Sequence, residues 1–449
     1  MVWTISLLSI FYYSIKIGLS AVKVNKLLLS PFMISLTAFF YFMDLQNNMG
    51  LDFQLETSLV ILTLGLWIPT TLSVFQTSFI KNKNMALDYL FNLFVILLLI
   101  FFSKSLLTFF IFFELSVIPI IIIIFLGGSA KTKGEASFFL FLFTGLSAFF
   151  LLFFISFFAL KNSGDLNLIL SFSYESISKV EFSWFLSNFF SFVIILSLLV
   201  KLPIFFFHMW LPKAHVEAPV FGSMILASVM LKLGGFGIYL LSSMLLFNNF
   251  ILLLVSMMPY LCFLSGISCY SQKDLKVLIA LSSVNHMSFF LMGFICLQAQ
   301  SIWGGLMLML GHGVVSSMMF YFSSIVYSLT SSRSIFFSKN FGSNVLLSSI
   351  WIFLIFLNGG FPPFLSFLGE ISIMKIFIEN PIIIFFLFLN FMLVGLYSVL
   401  MLSHLSESKS LKPNLNSQGG LNEWTVLMVS FLHLMLLYVL SFSQSIFYL

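Results

Sequence analysis

The stretch KLPIFFFHMWLPKAHVEAP, residues 201–219, decides how this chain folds. It contains three prolines, two lysines, two histidines and a glutamate, whereas the sequence on both sides is largely apolar. Pro203 has no N–H to donate within a helix, and it disfavours helical geometry at the residue before it. We therefore expect a helix to end near Lys201, and Pro212 and Pro219 to shape the connection after it.

The composition places the chain in a membrane. Of its 449 residues, 60% are hydrophobic and 8% are charged, and the mean hydropathy is +1.13, which excludes a soluble globular protein. Apolar runs long enough to cross a hydrocarbon core of about 30 Å recur from end to end. We predict an all-α polytopic membrane protein, one membrane domain of residues 1–449, with about fourteen transmembrane helices near 3–20, 27–43, 57–79, 87–102, 104–127, 137–159, 185–209, 221–244, 249–269, 275–297, 302–329, 345–377, 381–404 and 423–447.

The loop charges test this assignment, because Lys and Arg collect in the loops on one side of a membrane. Alternate loops are indeed basic, with Lys23 and Lys26, Lys81 and Lys83, Lys131 and Lys133, Lys213, Lys273 and Lys276, Arg333 and Lys339, and Lys409 and Lys412. The opposite loops are acidic or neutral, with Asp44, Asp52, Glu56, Asp165, Glu175 and Glu181 against Lys161 and Lys179. The alternation predicts that both termini lie on the acidic side.

A second break is expected five spans after the first. The run NGGFPP, Asn358 to Pro363, interrupts the twelfth span shortly before Glu370. Because five is an odd number of crossings, helices 4–8 (87–244) and helices 9–13 (249–404) would form two inverted five-helix repeats with discontinuous helices 7 and 12. Three N-terminal helices (1–86) and a fourteenth, C-terminal helix (423–447) complete the predicted domain.

Ionisable residues near the middle of a span form the candidate site, since a charge at the bilayer centre costs about 2.5–3.5 kcal/mol. Six residues meet this criterion: Glu114, Lys201, Lys232, His286, His312 and Glu370. After the first break, His208, His215 and Glu217 are accessory candidates. Simpler roles exist for individual residues: a lone His can hydrogen-bond a neighbouring helix, Lys201 can extend toward the basic side, and Glu114 can form a structural ion pair.

Acids, lysines and histidines at one depth are together the components of a proton relay. Histidine titrates near neutral pH. Burial favours the neutral form of a lysine and an adjacent carboxylate favours the charged form, so movement of the carboxylate would load or release a proton. A helix break at membrane depth is tolerated where the freed backbone groups face protein or water. The sequence therefore predicts a cavity beside Lys201 and a proton-transfer function.

Five motifs carry a resemblance to a known family: FFELSVIP (112–119), LVKLPIFFFHMWLPKAHVEAPVFGSMILASVMLKLGGFGIY (199–239), QKDLKVLIALSSVNHM (272–287), GHGVVSSMMFY (311–321) and GGFPPFLSFLGE (359–370). They resemble the antiporter-like membrane subunits of mitochondrial NADH:ubiquinone oxidoreductase, respiratory complex I, and in particular the subunit 4 group. These subunits are related to Mrp-type cation/proton antiporters. The resemblance spans most of the chain, although the first two spans and residues 160–185 contribute little to it.

The resemblance implies a proton-pumping subunit of the membrane arm, and the fourteen helices of that family agree with the number of spans above. It implies that Glu114 and Lys201 form a coupled pair and that Lys232 and His286 continue a hydrated central axis. It also implies that His312 lies in the region of the second half-channel. The relay is then expected to run through Glu114, Lys201, Lys232, His286, His312 and Glu370, with waters bridging the gaps.

Glu370 is expected to pass the proton to a neighbouring subunit. A Glu rather than a Lys at this position is more similar to subunit 4 than to subunit 5 of the family. The resemblance implies as partners the other membrane-arm subunits, especially the antiporter-like subunits 2 and 5, and membrane lipid including cardiolipin, but no nucleic acid. It implies the mitochondrial inner membrane, with basic loops toward the matrix and both termini toward the intermembrane space.

No cofactor and no metal are expected on this chain. Cys262, Cys269 and Cys296 form no CxxC pair, and the sequence has neither a P-loop nor a GxGxxG fingerprint. FMN, iron–sulfur clusters and ubiquinone are expected on other subunits, so the chain would belong to an NADH:ubiquinone reductase without carrying redox chemistry itself.

Two alternatives to this function stay open: a stand-alone Mrp-type cation/proton antiporter, and a purely structural membrane spacer.

The loop charges predict the result of a labelling experiment. In mitochondria whose outer membrane has been opened, an impermeant label should reach the loops at 44–56 or 162–181, because these lie on the acidic side. The loop at 131–135 should react only after the inner membrane is also opened. Labelling of 131–135 before that step contradicts the predicted topology.

Overall fold

The structure is a computed structural model, and it describes residues 83–101, 103, 105–127, 132–161, 184–241, 249–296, 298–330, 332–335, 345–362, 364–403, 429, 430 and 433. The predicted spans 3–20, 27–43 and 57–79 lie outside the described residues, as does nearly all of 423–447. The six midplane candidates and the three accessory candidates all lie within the described ranges.

The described residues fold into α-helices. In chain order these are α1 Lys83–Phe101, α2 Leu106–Leu115, α3 Val117–Gly127, α4 Lys133–Lys161, α5 Trp184–Lys201, α6 Trp210–Glu217, α7 Val220–Ile225, α8 Leu231–Leu240, α9 Asn249–Tyr270, α10 Leu275–Ile295, α11 Ala299–Thr330, α12 Val345–Asn358, α13 Leu365–Ile376 and α14 Pro381–Ser403. A π-helical turn, Leu226–Met230, joins α7 to α8.

Six helical stretches of the described chain are long and apolar enough to cross a membrane: Leu106–Gly127, Lys133–Phe157, Val220–Leu240, Leu275–Ile295, Gln300–Ser328 and Pro381–Leu402. The shorter apolar helices are Met85–Phe101, Ser191–Lys201, Leu254–Tyr270 and Ser348–Asn358. These helices confirm the predicted class, a helical multi-pass membrane protein. The total of about fourteen spans stays a prediction, because it depends partly on residues that are not described.

Helices α10 and α11 form the interior of the bundle. The apolar stretches within Leu275–Ile295 and Gln300–Ser328 are 100% buried, whereas that within Pro381–Leu402 is 28% buried. Helix α11 packs against α7, α10 and α13, while α9 packs against α10 and α14. The outer helices α4 and α14 expose large apolar side chains such as Phe149 and Phe388, as expected for surfaces that meet lipid.

The chain is broken at both of the places where the sequence predicts a discontinuous helix. Helix α5 ends at Lys201 and α6 begins at Trp210, and α12 ends at Asn358 and α13 begins at Leu365. Across the first break, Trp210 Nε1 donates to the carbonyl of Val200 at 3.0 Å. Across the second break, Ser366 Oγ donates to the carbonyl of Leu357 at 3.0 Å. Each break is thus stabilised by a side chain that satisfies a carbonyl freed by the end of the helix.

Two further irregularities lie within the predicted spans 104–127 and 221–244. Span 104–127 is divided at Ser116 into α2 and α3. Pro119 explains the division, because it has no N–H to donate to the carbonyl of Leu115 one turn earlier. Span 221–244 contains the π turn Leu226–Met230, which inserts an extra residue into the helical ladder and disturbs its hydrogen bonding.

A reciprocal amide pair connects α10 to α14. Asn285 Nδ2 donates to Asn390 Oδ1 at 2.8 Å, and Asn390 Nδ2 donates to Asn285 Oδ1 at 3.0 Å. Both side chains are buried. Side-chain hydrogen bonds of this kind hold helices together where the hydrophobic effect cannot, because lipid tails are as apolar as the helix surfaces.

We expect the two asparagines to be energetically coupled. Asn285→Ala or Asn390→Ala alone should destabilise the protein by about 1–3 kcal/mol, because the remaining amide is buried without its partner. The double variant should lose less stability than the sum of the two single losses. Thermal unfolding of the unmodified protein, the two single variants and the double variant is the measurement. Ser282→Ala, which removes a hydrogen bond within α10 only, is the matched control. Additive losses contradict the coupling.

Candidate functional site

The first part of the site is an ion pair between Glu114 of α2 and Lys201 of α5. Lys201 Nζ donates to Glu114 Oε1 at 2.7 Å. The Lys201 side chain is 8% exposed and the Glu114 side chain 25% exposed. A buried charge in an apolar bundle requires such a partner, so the two predicted residues are brought together.

The helix break positions Lys201. It is the last residue of α5, where Leu202 N still donates to the carbonyl of Leu198 at 2.8 Å before Pro203 ends the helix. The chain after Lys201 lies directly against α8: a Cβ added to Gly234 would come within 2.8 Å of Leu202 Cγ. Glycine therefore allows the close approach of α8, the helix that carries Lys232, to the end of α5.

The second part of the site is centred on Lys232. Its Nζ donates to the carbonyl of Ala227 at 2.8 Å and lies 3.0 Å from His312 Nδ1. Ala227 belongs to the π turn, so the carbonyl that accepts from Lys232 lies in the irregular part of this span. If Lys232 is protonated, His312 Nδ1 must accept, and if Lys232 is neutral, a proton on Nδ1 can be donated to it. The two groups can therefore share one proton.

His312 leads to His286 and then to Glu370. The rings of His286 and His312 have centroids 5.4 Å apart. His286 Nδ1 lies 3.6 Å from Glu370 Oε1, which is too long for a hydrogen bond and close enough for electrostatic attraction when the imidazole is protonated. The Nε2 atoms of both histidines are buried and have no hydrogen-bond partner among the described residues. Proton transfer through these atoms thus requires a bridging water or a movement of the side chain.

The second helix break supports the Glu370 carboxylate. Gly360 lies in this break with a φ of 66°. A Cβ added there would be 2.9 Å from Glu370 Oε2. Glycine is required twice over, once for the left-handed backbone and once for the close approach of the carboxylate. Glu370 is thus held between the break on one side and His286 on the other.

The accessory candidates make contacts of their own. His215 is buried and stacks on Phe320 with ring centroids 4.3 Å apart, and neither of its ring nitrogens has a partner among the described residues. Glu217 accepts a hydrogen bond from Thr132 Oγ1 at 2.9 Å. His208 stacks on Phe205, with centroids 5.2 Å apart.

The spatial order of the two central histidines differs from the order expected from the sequence. The expected order placed His286 next after Lys232, whereas in the structure His312 contacts Lys232 and His286 comes after it. The reason is that α11 packs against both the π turn and α10, so it brings His312 to Lys232 first. The contact of Lys232 with the Ala227 carbonyl could not be predicted from the sequence, because nothing in the run LASVM marks it. The role of Gly360 was not predicted either, although the Gly-Gly pair in NGGFPP is a signal that could have indicated it.

Within the described ranges, no group of three or more His, Cys, Asp and Glu residues is arranged to hold a metal ion. Cys262 Sγ lies 3.0 Å from Ser288 Oγ, and both side chains are buried in the bundle.

The chain is similar to known membrane subunits over most of its length. A family model described as NADH:quinone oxidoreductase/Mrp antiporter, TM, matches residues 103–397. NADH-ubiquinone oxidoreductase chain 4 of Artemia franciscana is 38% identical over 327 residues, which are 71% of this chain and 79% of that relative. The protein of the same name from Rhipicephalus sanguineus is 33% identical over 407 residues, covering 87% of this chain and 86% of the relative.

Solved structures share the fold. A chain of respiratory complex I from Thermus thermophilus with bound NADH is 20% identical, with a TM-score of 0.70, and the match covers 86% of this chain and 85% of that one. A chain of the membrane-bound sulfane sulfur reductase, an archaeal respiratory membrane complex, is 15% identical with a TM-score of 0.76, and the match covers 98% of this chain and 95% of that one. At these identities the likeness concerns the fold.

Gly360→Ala should destabilise the protein and displace the Glu370 carboxylate. The left-handed backbone alone costs alanine about 1–2 kcal/mol, and the added Cβ meets Glu370 Oε2. Gly395→Ala in α14 is the matched control, because a Cβ there has no neighbour within 4 Å. Thermal unfolding of both variants is the measurement. An equal midpoint for Gly360→Ala and Gly395→Ala contradicts this role of the second break.

Proposed function

Because the chain belongs to the NADH:quinone oxidoreductase/Mrp antiporter family of membrane subunits, in its NADH-ubiquinone oxidoreductase chain 4 group, we propose that it pumps protons through the midplane residues described above. It is an antiporter-like subunit of the membrane arm of respiratory complex I. The observation that carries the mechanism is the ion pair between the buried Lys201 and the partly exposed Glu114 at a helix break. An ion pair in this position provides a charge that can be switched.

The first step of the proposed relay is the separation of this ion pair. With Glu114 near, the ammonium of Lys201 is favoured by charge attraction and by a hydrogen bond. When the carboxylate moves away, burial favours the neutral amine, and the proton leaves. Helix α5 packs against α8, which carries Lys232, so the acceptor of that proton is on the adjacent helix.

The second half of the relay uses the contacts in the structure. A proton arriving at Lys232 is shared with His312 Nδ1 and passes by way of His286 to Glu370. Waters would bridge the steps in which ring nitrogens lack protein partners. His208, His215 and Glu217, in the connection after the first break, would serve proton entry from the basic side.

The chain contributes proton translocation to an NADH:ubiquinone oxidoreductase. In our proposal the NADH, FMN, iron–sulfur and ubiquinone chemistry takes place on other subunits of the complex. The energy of electron transfer would reach this chain as a displacement of Glu114 relative to Lys201, because that displacement changes the protonation of the lysine.

We also propose the internal symmetry predicted from the sequence. The two helix breaks support it: each lies next to an ionisable residue of the relay, and each is closed by a side chain that donates to a carbonyl before the break. On this basis residues 87–244 and 249–404 form inverted repeats, preceded by the helices of 1–86 and followed by a C-terminal helix at 423–447. Lys201 and Glu370 would occupy related positions.

The placement in the cell and in the complex is proposed on the same grounds. The chain would lie in the mitochondrial inner membrane, with its basic loops toward the matrix. Glu370 would pass protons to a neighbouring antiporter-like subunit, and subunits 2 and 5 would flank this chain. Anionic lipid, including cardiolipin, would meet the basic loops.

A stand-alone Mrp-type cation/proton antiporter is the second candidate, because the matching family model includes those antiporters. Such an exchanger would use the same lysines and the same broken helices. Purification distinguishes the two: the complex I subunit should be isolated together with flavin and iron–sulfur subunits.

Removal of the switchable charge should stop pumping. Glu114→Gln and Lys201→Ala should leave the complex assembled and slow rotenone-sensitive, coupled NADH oxidation by about tenfold or more, a loss of ~1.4 kcal/mol in transition-state stabilisation. Lys201→Arg should also impair pumping, because a guanidinium does not release its proton. Lys375→Ala, which removes an exposed lysine at the end of α13, is the matched control and should pump normally.

Proton pumping by reconstituted complex is the direct measurement. Normal pumping by Glu114→Gln or Lys201→Ala contradicts the relay and favours a structural role for the pair. Pumping lost together with assembly would instead show that the pair is needed for folding, so the amount of assembled complex is measured in every variant.

A further inference from the structure

The ammonium of Lys201 has a second buried contact besides the Glu114 carboxylate. Its Nζ lies 3.2 Å above the centroid of the Phe113 ring, and Phe113 is 1% exposed. A cation over the face of an aromatic ring is attracted by the ring quadrupole, and the attraction is stronger when both groups are removed from water. Phe113 directly precedes Glu114, so α2 supplies both partners of the ammonium.

We propose that the Phe113 ring is a second binding partner of the Lys201 ammonium. The ring favours the protonated lysine while Glu114 moves away, and it thereby sets how readily the proton leaves. The inference rests on the proposed relay. A neutral amine has no net charge for the ring to attract, so Phe113 discriminates between the two protonation states that the relay interconverts. It acts on the atom that carries the proton, without accepting a proton itself.

The two partners of Lys201 differ in their freedom to move. The Phe113 ring is fixed by an aromatic cluster. It stacks on Phe109 with ring centroids 5.0 Å apart. The Phe109 centroid lies 6.1 Å from that of Phe236, whose ring packs edge-on against Phe101 with centroids 5.4 Å apart. The Glu114 side chain is 25% exposed and is not enclosed in this cluster. Movement of Glu114 would therefore leave the ammonium on the ring rather than without any partner.

In the described part of the chain, the charges around Lys201 come from α2 and from the helices packed against α5. Glu114 is the carboxylate that faces it, and the adjoining helix α8 brings Lys232. Helix α4 carries charges at its two ends, Lys133 and Glu135 at one and Lys161 at the other, and α9 has none. The Phe113 ring is uncharged, so its attraction for the Lys201 ammonium persists whatever the position or charge of Glu114.

The test uses the intact complex and the pH dependence of coupled NADH oxidation and proton pumping. Phe113→Leu keeps an apolar side chain and removes the ring. It should move the alkaline limb of the pH profile to lower pH by about one unit, which corresponds to about tenfold weaker proton binding by Lys201. Phe113→Tyr keeps the ring face and should leave the limb in place. Phe110→Leu, a change of the same kind on the same helix, should also leave it in place.

A purely structural role for Phe113 predicts a different result. It predicts lower assembly or stability of Phe113→Leu with an unchanged alkaline limb, and that result overturns the proposal. A shift for Phe113→Tyr as large as that for Phe113→Leu overturns it as well. If the leucine variant fails to assemble, Phe113→Met fills the space without a ring and should show the same shift, whereas an unshifted limb for it rejects the proposal.

Lys201→Ala in the same series separates this inference from the relay. If Lys201→Ala pumps normally, the relay itself is wrong, and with it the role of Phe113. If Lys201→Ala stops pumping and Phe113→Leu has the alkaline limb of the unmodified complex, the relay stands and only the role of Phe113 is rejected.

Discussion

A lysine ammonium and a glutamate carboxylate 2.7 Å apart inside an apolar helix bundle are the interaction on which the rest of the structure depends. A charge at this depth costs several kcal/mol unless it is paired, and removal of one partner leaves the other uncompensated. Lys201 and Glu114 are therefore bound to each other in the structure. The same dependence makes the pair a switch, because the protonation of the lysine depends on the position of the carboxylate.

The helix breaks are the second consequence of placing polar chemistry in lipid. Pro203 ends α5 directly after Lys201, and the break that contains Gly360 supports the carboxylate of Glu370. Irregular backbone is tolerated here because it is enclosed in protein, and because Trp210 and Ser366 satisfy carbonyls that the helix ends have freed. The breaks therefore belong to the site rather than to the connections between helices.

The features visible in the sequence are those that depend on residue type and spacing. Lys201 and Glu114 stand out because charges are rare in apolar runs, and both breaks are marked by proline and glycine. The sequence does not reveal features that depend on how helices pack. Two such features are the hydrogen bond from Lys232 to the Ala227 carbonyl in the π turn and the contact of Lys232 with His312 before His286. The second follows from the packing of α11 against the π turn and α10. The residues of the undescribed spans leave the total number of helices a prediction.

The proposed relay needs a continuous path for protons, and ordered water in a high-resolution density map of the assembled complex would reveal whether that path exists. A continuous relay requires waters that link Lys201 to Lys232 across the α5–α8 contact and that reach the Nε2 atoms of His312 and His286. It also predicts that Glu370 lies within a few waters of a neighbouring subunit. A dry apolar layer between the two lysines in every state of the complex contradicts the relay.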